Sequence, residues 1–417
     1  MRSSLLIALF ALVIFHPLCA QPTPTDCSID SIDLPPLVDL VGASFQNCPG
    51  GLYPHASNVH PATHQADGIT IANRIKPLNT LGQPDVNGDI LMICIGMSLT
   101  YGPFLEFKDS AHALPGINPK LKMVNAAIGG KHIDSLLNPA SAYFPTAQNM
   151  LADSGNTFEQ VQIIWFKQVM LPNSLGFPDY PLQVKGKFKS AVRLLKNKFP
   201  NLKQVYLTDL RYCANSTEPS AQEPNCWAHQ WAVKWLIEDQ INGLPGLAYS
   251  GPNAPAPWIA WGPSIWADGE SPRDLDGLTW VCPDDYSGDG IHYMPPGKTK
   301  HAQMLFDFFS TDPTAAPWFY APVAPLPKTN LVPGPNMQLF PNPSQGKIQV
   351  ILETPKADKG HLRLIDLHGK MVHQQALGIL VPGSNPFEVT PELSPGIYFA
   401  VVEIGEWTGR KKIVVSR

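Results

Sequence analysis

Three residues of the types that acyl transfer requires stand in two short stretches far apart in the chain. In "ICIGMSLTYG" (93–102), Ser98 follows an apolar run and a glycine. In "SGDGIHYMPPG" (287–297), Asp289 precedes His292 by three positions, in a glycine-rich loop that leads into a helical stretch. Acyl transfer needs a nucleophile, a base to take its proton, an acid to orient the base, and donors for the developing oxyanion. A carboxylate so close in sequence can turn back onto one imidazole nitrogen. The other nitrogen is then free to face a hydroxyl, and the chain order becomes Ser98, Asp289, His292. Taken singly, each stretch has an ordinary explanation: a serine in a turn after a strand, and a turn carrying a surface histidine. The Gly-x-Ser-x-Gly elbow of the common α/β hydrolases does not occur in the chain.

The elements that must position these residues follow from the hydrophobic pattern. Continuous apolar runs at "DILMICIG" (89–96), "LKMVNAA" (121–127), "VQIIWFK" (161–167), "KQVYLTDL" (203–210) and "PWIAWG" (257–262) predict buried parallel strands. Between and after them, helical patterns fall near 131–138, 182–199, 226–241 and 296–309, the last with Pro296 near its first turn. This alternation predicts the α/β class: a flavodoxin-like three-layer α/β/α arrangement around a parallel sheet of about five strands. Sites in such sheets lie outside the carboxyl ends of the strands, and Ser98 falls there. Residues 21–88, rich in Pro, Gly, Asn and His, read as an irregular lead-in packed on this domain.

Three blocks in order resemble the SGNH (GDSL-type) hydrolase family, over residues 89–310. Gly96-Met97-Ser98-Leu99-Thr100 resembles its Gly-Asp-Ser-Leu-Thr block, and Asn125-Ala126-Ala127-Ile128-Gly129-Gly130 its Asn-x-x-x-Ser-Gly block. Asp289-Gly290-Ile291-His292 resembles its terminal Asp-x-x-His block. Met97 stands where the family has Asp, and the Gly-x-Asn-Asp block is absent. Gln168 falls where that block's Asn would sit, with Asn173 as the second choice. The resemblance implies an ester hydrolase with Ser98, His292 and Asp289 as triad, working through an acyl-enzyme without metal or organic cofactor. It also implies an oxyanion hole built from the backbone N–H groups of Ser98 and Gly130 and the amide of Gln168. The substrate expected is an ester; export and the tryptophans of 258–269 favour an acetyl-like O-acyl group on a glycan. The alternative reading, motivated by Met97 and the absent block, is a non-catalytic glycan-binding or adhesion protein on a degenerate hydrolase fold.

The rest of the chain speaks to destination. Arg2 followed by "LLIALFALVIF" (5–15) and Ala20 reads as a signal peptide over 1–20. No later stretch is long and apolar enough to span a bilayer. A net charge of −4 and 15% charged residues give no reason to propose nucleic acid or an anionic membrane as partner. Residues 21–312 then form the hydrolase-like domain, and the Pro/Ala-rich 313–336 a semi-rigid linker. Residues 337–417 alternate as a small antiparallel β-sandwich. Their "LFPNPSQGKIQV", "LRLIDLHGKMV", "LSPGIYFAVVE" and "GRKKIVVSR" resemble the type IX secretion C-terminal sorting domain (type A). That resemblance implies a diderm bacterium, passage through the periplasm, the type IX machinery as partner, and release or anchoring at the cell surface. Six cysteines follow the leader; local spacing suggests Cys27–Cys48 and Cys213–Cys226, with Cys94 a buried thiol. Cys-x-x-Cys is absent, and Pro61 disfavours "HPATH" (60–64) as a helical metal site. Lys131 and His132 border the second block; "NST" (215–217) is a glycosylation sequon without force in a bacterium lacking that machinery.

Overall fold

The structure is a computed structural model describing residues 27–218, 221–321, 335–366, 370–405 and 407–416. The leader lies outside these residues. The chain divides into two compact units, one up to residue 322 and the other from 323.

In the first unit five parallel strands make one sheet: β1 (Ile90–Gly96), β2 (Leu121–Asn125), β3 (Val161–Lys167), β4 (Gln204–Leu207) and β5 (Trp258–Trp261). Their spatial order is β2-β1-β3-β4-β5. This is the doubly wound order whose switch point lies between β1 and β3. All seven residues of β1 are buried because both faces of the sheet are covered. Leu91, Ile93 and Ile95 face one core, with α3 (Ile133–Leu137), α4 (Tyr143–Asp153), α5 (Asp179–Lys198) and α6 (Asn225–Ile241). Ile90, Met92 and Cys94 face the other, with α1 (Ala62–Ala72), α2 (Ser98–His112), α7 (Pro295–Thr311) and α8 (Ala316–Phe319). The period of two along β1 therefore sorts the molecule into its three layers.

Three features depart from the sequence reading. Residues 313–321, assigned to the linker, belong to the first unit: Ala315, Trp318 and Phe319 are buried in its core. Residues 322–334 of that linker lie outside the described residues. Cys27 pairs with Cys282, 255 positions away, and Cys48 is free. Local spacing misleads because the lead-in runs across the 268–282 loop, where Ser31 Oγ (2.6 Å) and Ile32 N (2.9 Å) donate to Asp268. The lead-in also contains a helix, α1, whose pattern is too weakly amphipathic to show. Cys213–Cys226 is present as expected. Cys94 is a buried thiol bonded to Asn125 Oδ1 at 3.1 Å, its pKa pushed up to about 12 by burial.

The second unit is an antiparallel sandwich. Strands β6 (Asn336–Phe340), β7 (Ile348–Thr354) and β10 (Gly383–Val389) form one sheet, in the order β10-β7-β6. Strands β8 (Asp358–Asp366), β9 (Met371–Leu380), β11 (Gly396–Ile404) and β12 (Trp407–Val415) form the other, in the order β9-β8-β11-β12. Alternate residues of both sheets, among them Val350, Leu352, Leu364 and Val402, meet in one core.

Candidate active site

Ser98 is the first residue of α2, immediately after Met97 closes the turn from β1. Gly96 makes that turn possible. A Cβ there would stand 2.1 Å from Thr100 Oγ1 and 2.3 Å from the Lys167 carbonyl oxygen. Thr100 Oγ1 instead donates to that carbonyl at 3.0 Å, which ties the first turn of α2 to the end of β3. Ser98 so placed has a backbone N–H at a helix N-terminus, a position whose amide has no intrahelical partner and favours negative charge.

The loop before α7 brings the other two groups to it. His292 Nε2 lies 2.9 Å from Ser98 Oγ. His292 Nδ1 lies 2.6 Å from Asp289 Oδ2. Asp289 Oδ1 accepts from Ser287 Oγ (2.6 Å), Ile291 N (2.9 Å) and His292 N (2.9 Å). Burial pulls the Asp289 carboxyl upward, but the bonds from His292, Ser287 and the two backbone amides outweigh it and hold its pKa well below the usual carboxylate range. The carboxylate is therefore a fixed acceptor that orients the imidazole.

The loop itself is clamped by the segment after β4. Arg211, fully buried, donates through Nη2 to the carbonyl of Gly290 at 3.1 Å and to that of Ile291. Its guanidinium also lies 4.2 Å from the Tyr286 ring centre. Thr217 N donates to the Asp289 carbonyl at 3.0 Å. Gly290 has φ +67°, and a Cβ on it would fall 1.9 Å from the Asn215 carbonyl oxygen, so this turn tolerates no side chain.

Of the residues named for the oxyanion, Gln168 lines the same cavity as Ser98. Its Nε2 donates to the Lys131 carbonyl at 3.0 Å, and its Oε1 accepts from Val169 N at 3.2 Å. The amide is thus oriented from both ends, with a second N–H hydrogen left over. Gly130 turns with φ +70°, and a Cβ on the preceding Gly129 would come 4.0 Å from Ser98 Cβ. Asn173 is not brought to the site: it donates to Gln183 at 2.6 Å on the surface. His132 lies at the start of α3.

Other sequence candidates are absorbed by packing. His60 and His64 contact each other at 2.8 Å (Nε2 to Nδ1), His64 continues to Gln240, and burial pushes His60 down to about 3. Trp258, Trp261 and Trp266 are buried core, not a sugar platform. Asn215 of the sequon is buried and bonded to Ile29 through both ends of its amide.

Beneath Ser98 is a small cavity of about 40 Å³. Its apolar wall includes Leu99, Leu210, Ile291 and the Cys213–Cys226 disulfide, and its polar lining includes Lys167 and Arg211. The sequence reading passes over both cations. The only signal is position: Lys167 is the last residue of one buried strand, and Arg211 follows the end of the next by four residues.

Residues 338–416 match the secretion system C-terminal sorting domain. A chain with this module is exported to the cell surface or the extracellular space through the type IX machinery. No helix among the described residues is long and apolar enough to cross a membrane. No curated protein matches the chain. Solved structures resemble it distantly. A salicylyl-acyltransferase from a tetracycline biosynthetic pathway is 14% identical, with 55% of this chain and 56% of that one covered and a TM-score of 0.29. The periplasmic domain of a Salmonella ser. Paratyphi A lipopolysaccharide acetyltransferase is 10% identical, with 60% and 94% covered and a TM-score of 0.30. A carbohydrate acetylesterase from Xanthomonas citri is 11% identical, with 75% and 74% covered and a TM-score of 0.28. The chain spans 11% of a glycoside hydrolase family 2 β-glucuronidase that it also matches, and about half of the acyltransferase. At such scores these neighbours assign no function.

Proposed function

We propose that the first unit, through residue 321, forms a secreted SGNH-type serine ester hydrolase with Ser98, His292 and Asp289 as its triad. The observation that supports this is the unbroken chain of contacts Ser98 Oγ–His292 Nε2 (2.9 Å) and His292 Nδ1–Asp289 Oδ2 (2.6 Å), between residues 194 positions apart. Ser98 Oγ attacks the ester carbonyl as His292 Nε2 takes its proton. The oxyanion meets the N–H of Ser98 at the start of α2, the N–H of Gly130 and the free amide hydrogen of Gln168; one such donor is worth roughly 10²–10³ in rate. The carbonyl re-forms, the C–O bond to the alcohol breaks, and His292 passes its proton to the leaving alkoxide. Water, deprotonated by His292, then attacks the acyl-enzyme and releases the acid and Ser98. Asp289 holds the imidazole tautomer and stabilises the imidazolium.

The site's two sides differ in openness. His292 is half-exposed, so the alcohol leaves toward solvent and its size is unrestricted. The cavity below admits only a short group. This supports a short O-acyl ester of a large alcohol such as a glycan.

The test is a chromogenic short-chain ester with wild type and Ser98→Ala, alongside a fluorophosphonate probe. Turnover and labelling, both lost in Ser98→Ala, are expected. Glycan binding without turnover, unchanged by Ser98→Ala, would establish the non-catalytic alternative.

A further inference from the structure

Four cationic side chains are buried among the described residues: Lys167, Arg211, Lys234 and Arg273. Two have carboxylate partners, Lys234 with Glu238 and Arg273 with Asp276. Lys167 and Arg211 form no ion pair among the described residues, and both line the cavity beneath Ser98. An unpaired buried charge is costly, because it gives up hydration without recovering a counter-charge. The carboxylate acting on Lys167 from farther off is Asp209, which is occupied by Ser264 Oγ at 2.8 Å and Ile265 N at 2.6 Å.

The two cations are not equivalent. Arg211 spends Nη1 and Nη2 on the carbonyls of Tyr212, Gly290 and Ile291, and only its buried Nε is without a partner. Lys167 Nζ makes no hydrogen bond to any described residue, although Lys167 is 2% exposed. Its backbone is fixed, since the Lys167 carbonyl accepts from Thr100 and the residue pairs with Gly96 in the sheet. Burial and the charge of Arg211 together push its pKa down to about 7. An anion in the cavity would supply the missing partner and restore the ammonium. The about 40 Å³ available corresponds to roughly three or four water molecules, space for a short tail of about four or five bonded non-hydrogen atoms beyond the ester carbonyl.

We propose that this cavity is a carboxylate site, with Lys167 Nζ as counter-charge and Arg211 beside it, and that the ester cleaved at Ser98 carries a short acyl chain ending in a carboxylate. The second half rests on Ser98 being the nucleophile; the first does not. The substrate class is then a half-ester of a small dicarboxylic acid. Acyl chains of equal length with a neutral end would leave the two cations unpaired.

Two measurements on the full mature chain test this. The first compares kcat/KM for 4-nitrophenyl hemisuccinate and 4-nitrophenyl butyrate, in wild type and Lys167→Met. The second follows the melting temperature of both proteins with succinate or malonate, using sulfate at equal ionic strength as control. The expected result is a wild-type preference of at least tenfold for the hemisuccinate, which drops at least tenfold in Lys167→Met. Succinate or malonate, but not sulfate, should raise the wild-type melting temperature saturably and leave the variant unmoved. Butyrate cleaved as well as hemisuccinate, with no carboxylate-specific shift, overturns the proposal while the hydrolase reading stands. A carboxylate shift lost in Lys167→Met, with no ester cleaved and Ser98 unlabelled, supports the carboxylate site and removes the hydrolase reading. Equal losses on both esters in the variant, without a wild-type preference, also overturn it. Should Lys167→Met not fold, the wild-type ratio and the wild-type shift decide alone.

Discussion

Asp289 takes four contacts on its two oxygens, and two predictions belong to such single groups. Its carboxyl is held well below the ordinary range. A lowered folded pKa gives stability that is complete above the unfolded value, about pH 4, and is lost as pH falls through the lowered one. Asp289 therefore stays ionised throughout the range in which an esterase is assayed. The kcat/KM profile above pH ~4 should carry no contribution from protonation of Asp289. Asp289→Asn, which keeps shape but removes the charge, should lower kcat by roughly 10⁴. Lys167 behaves in the opposite sense. Its folded pKa lies near 7, below the ordinary lysine value of about 10.4, so burying its charge destabilises the fold most at and below pH 7. Stability from this group rises with pH between the two values. Lys167→Met should therefore raise the unfolding free energy by on the order of a few kcal/mol at pH 6, with the gain shrinking toward pH 10 in denaturant titrations.

At the scale of elements, the site depends on two turns and one strap. The β1–α2 turn closes over Gly96 with no room for a methyl group. Gly96→Ala must separate Thr100 from the end of β3, carrying Ser98 with it; an esterase rate at least ~10-fold lower is expected, since small misplacements of reacting groups cost about that much or more. The 213–226 strap forms a wall of the cavity, and its disulfide closes a span of 13 residues. Replacing both cysteines with serine should cost ~3 kcal/mol of stability by loop-closure entropy. On the proposed acyl-binding role of the cavity, it should also raise KM for short esters more than it lowers kcat.

For the whole molecule, there are two compact units: an α/β/α unit that carries the candidate site and a sandwich that matches the secretion sorting domain. Deleting residues 338–416 should leave ester hydrolysis in cell extracts while removing it from the medium and cell surface, measured by fractionation. Much of this organisation was legible in the sequence, because it is written in consecutive residues. The apolar runs at 89–96 and 161–167 are buried on both faces and declare parallel strands, the spacing in 182–199 declares a helix, and Asp289 reaches His292 within one turn of loop. The sorting domain is legible for the same reason, since its strands and turns follow one another in order. What only the tertiary structure decided lies where distant segments cross. The partner of Cys27 is Cys282 because the lead-in passes the 268–282 loop, and no local spacing encodes that crossing. Trp258, Trp261 and Trp266 become core and not platform because helices and lead-in cover them. Lys167 and Arg211 share one cavity because β3 and β4 are neighbours in the sheet, although 44 positions separate the two residues in the chain. Periodicity specifies which face of an element is apolar; which charges meet over its end is set by strand order, and strand order is a property of the folded whole.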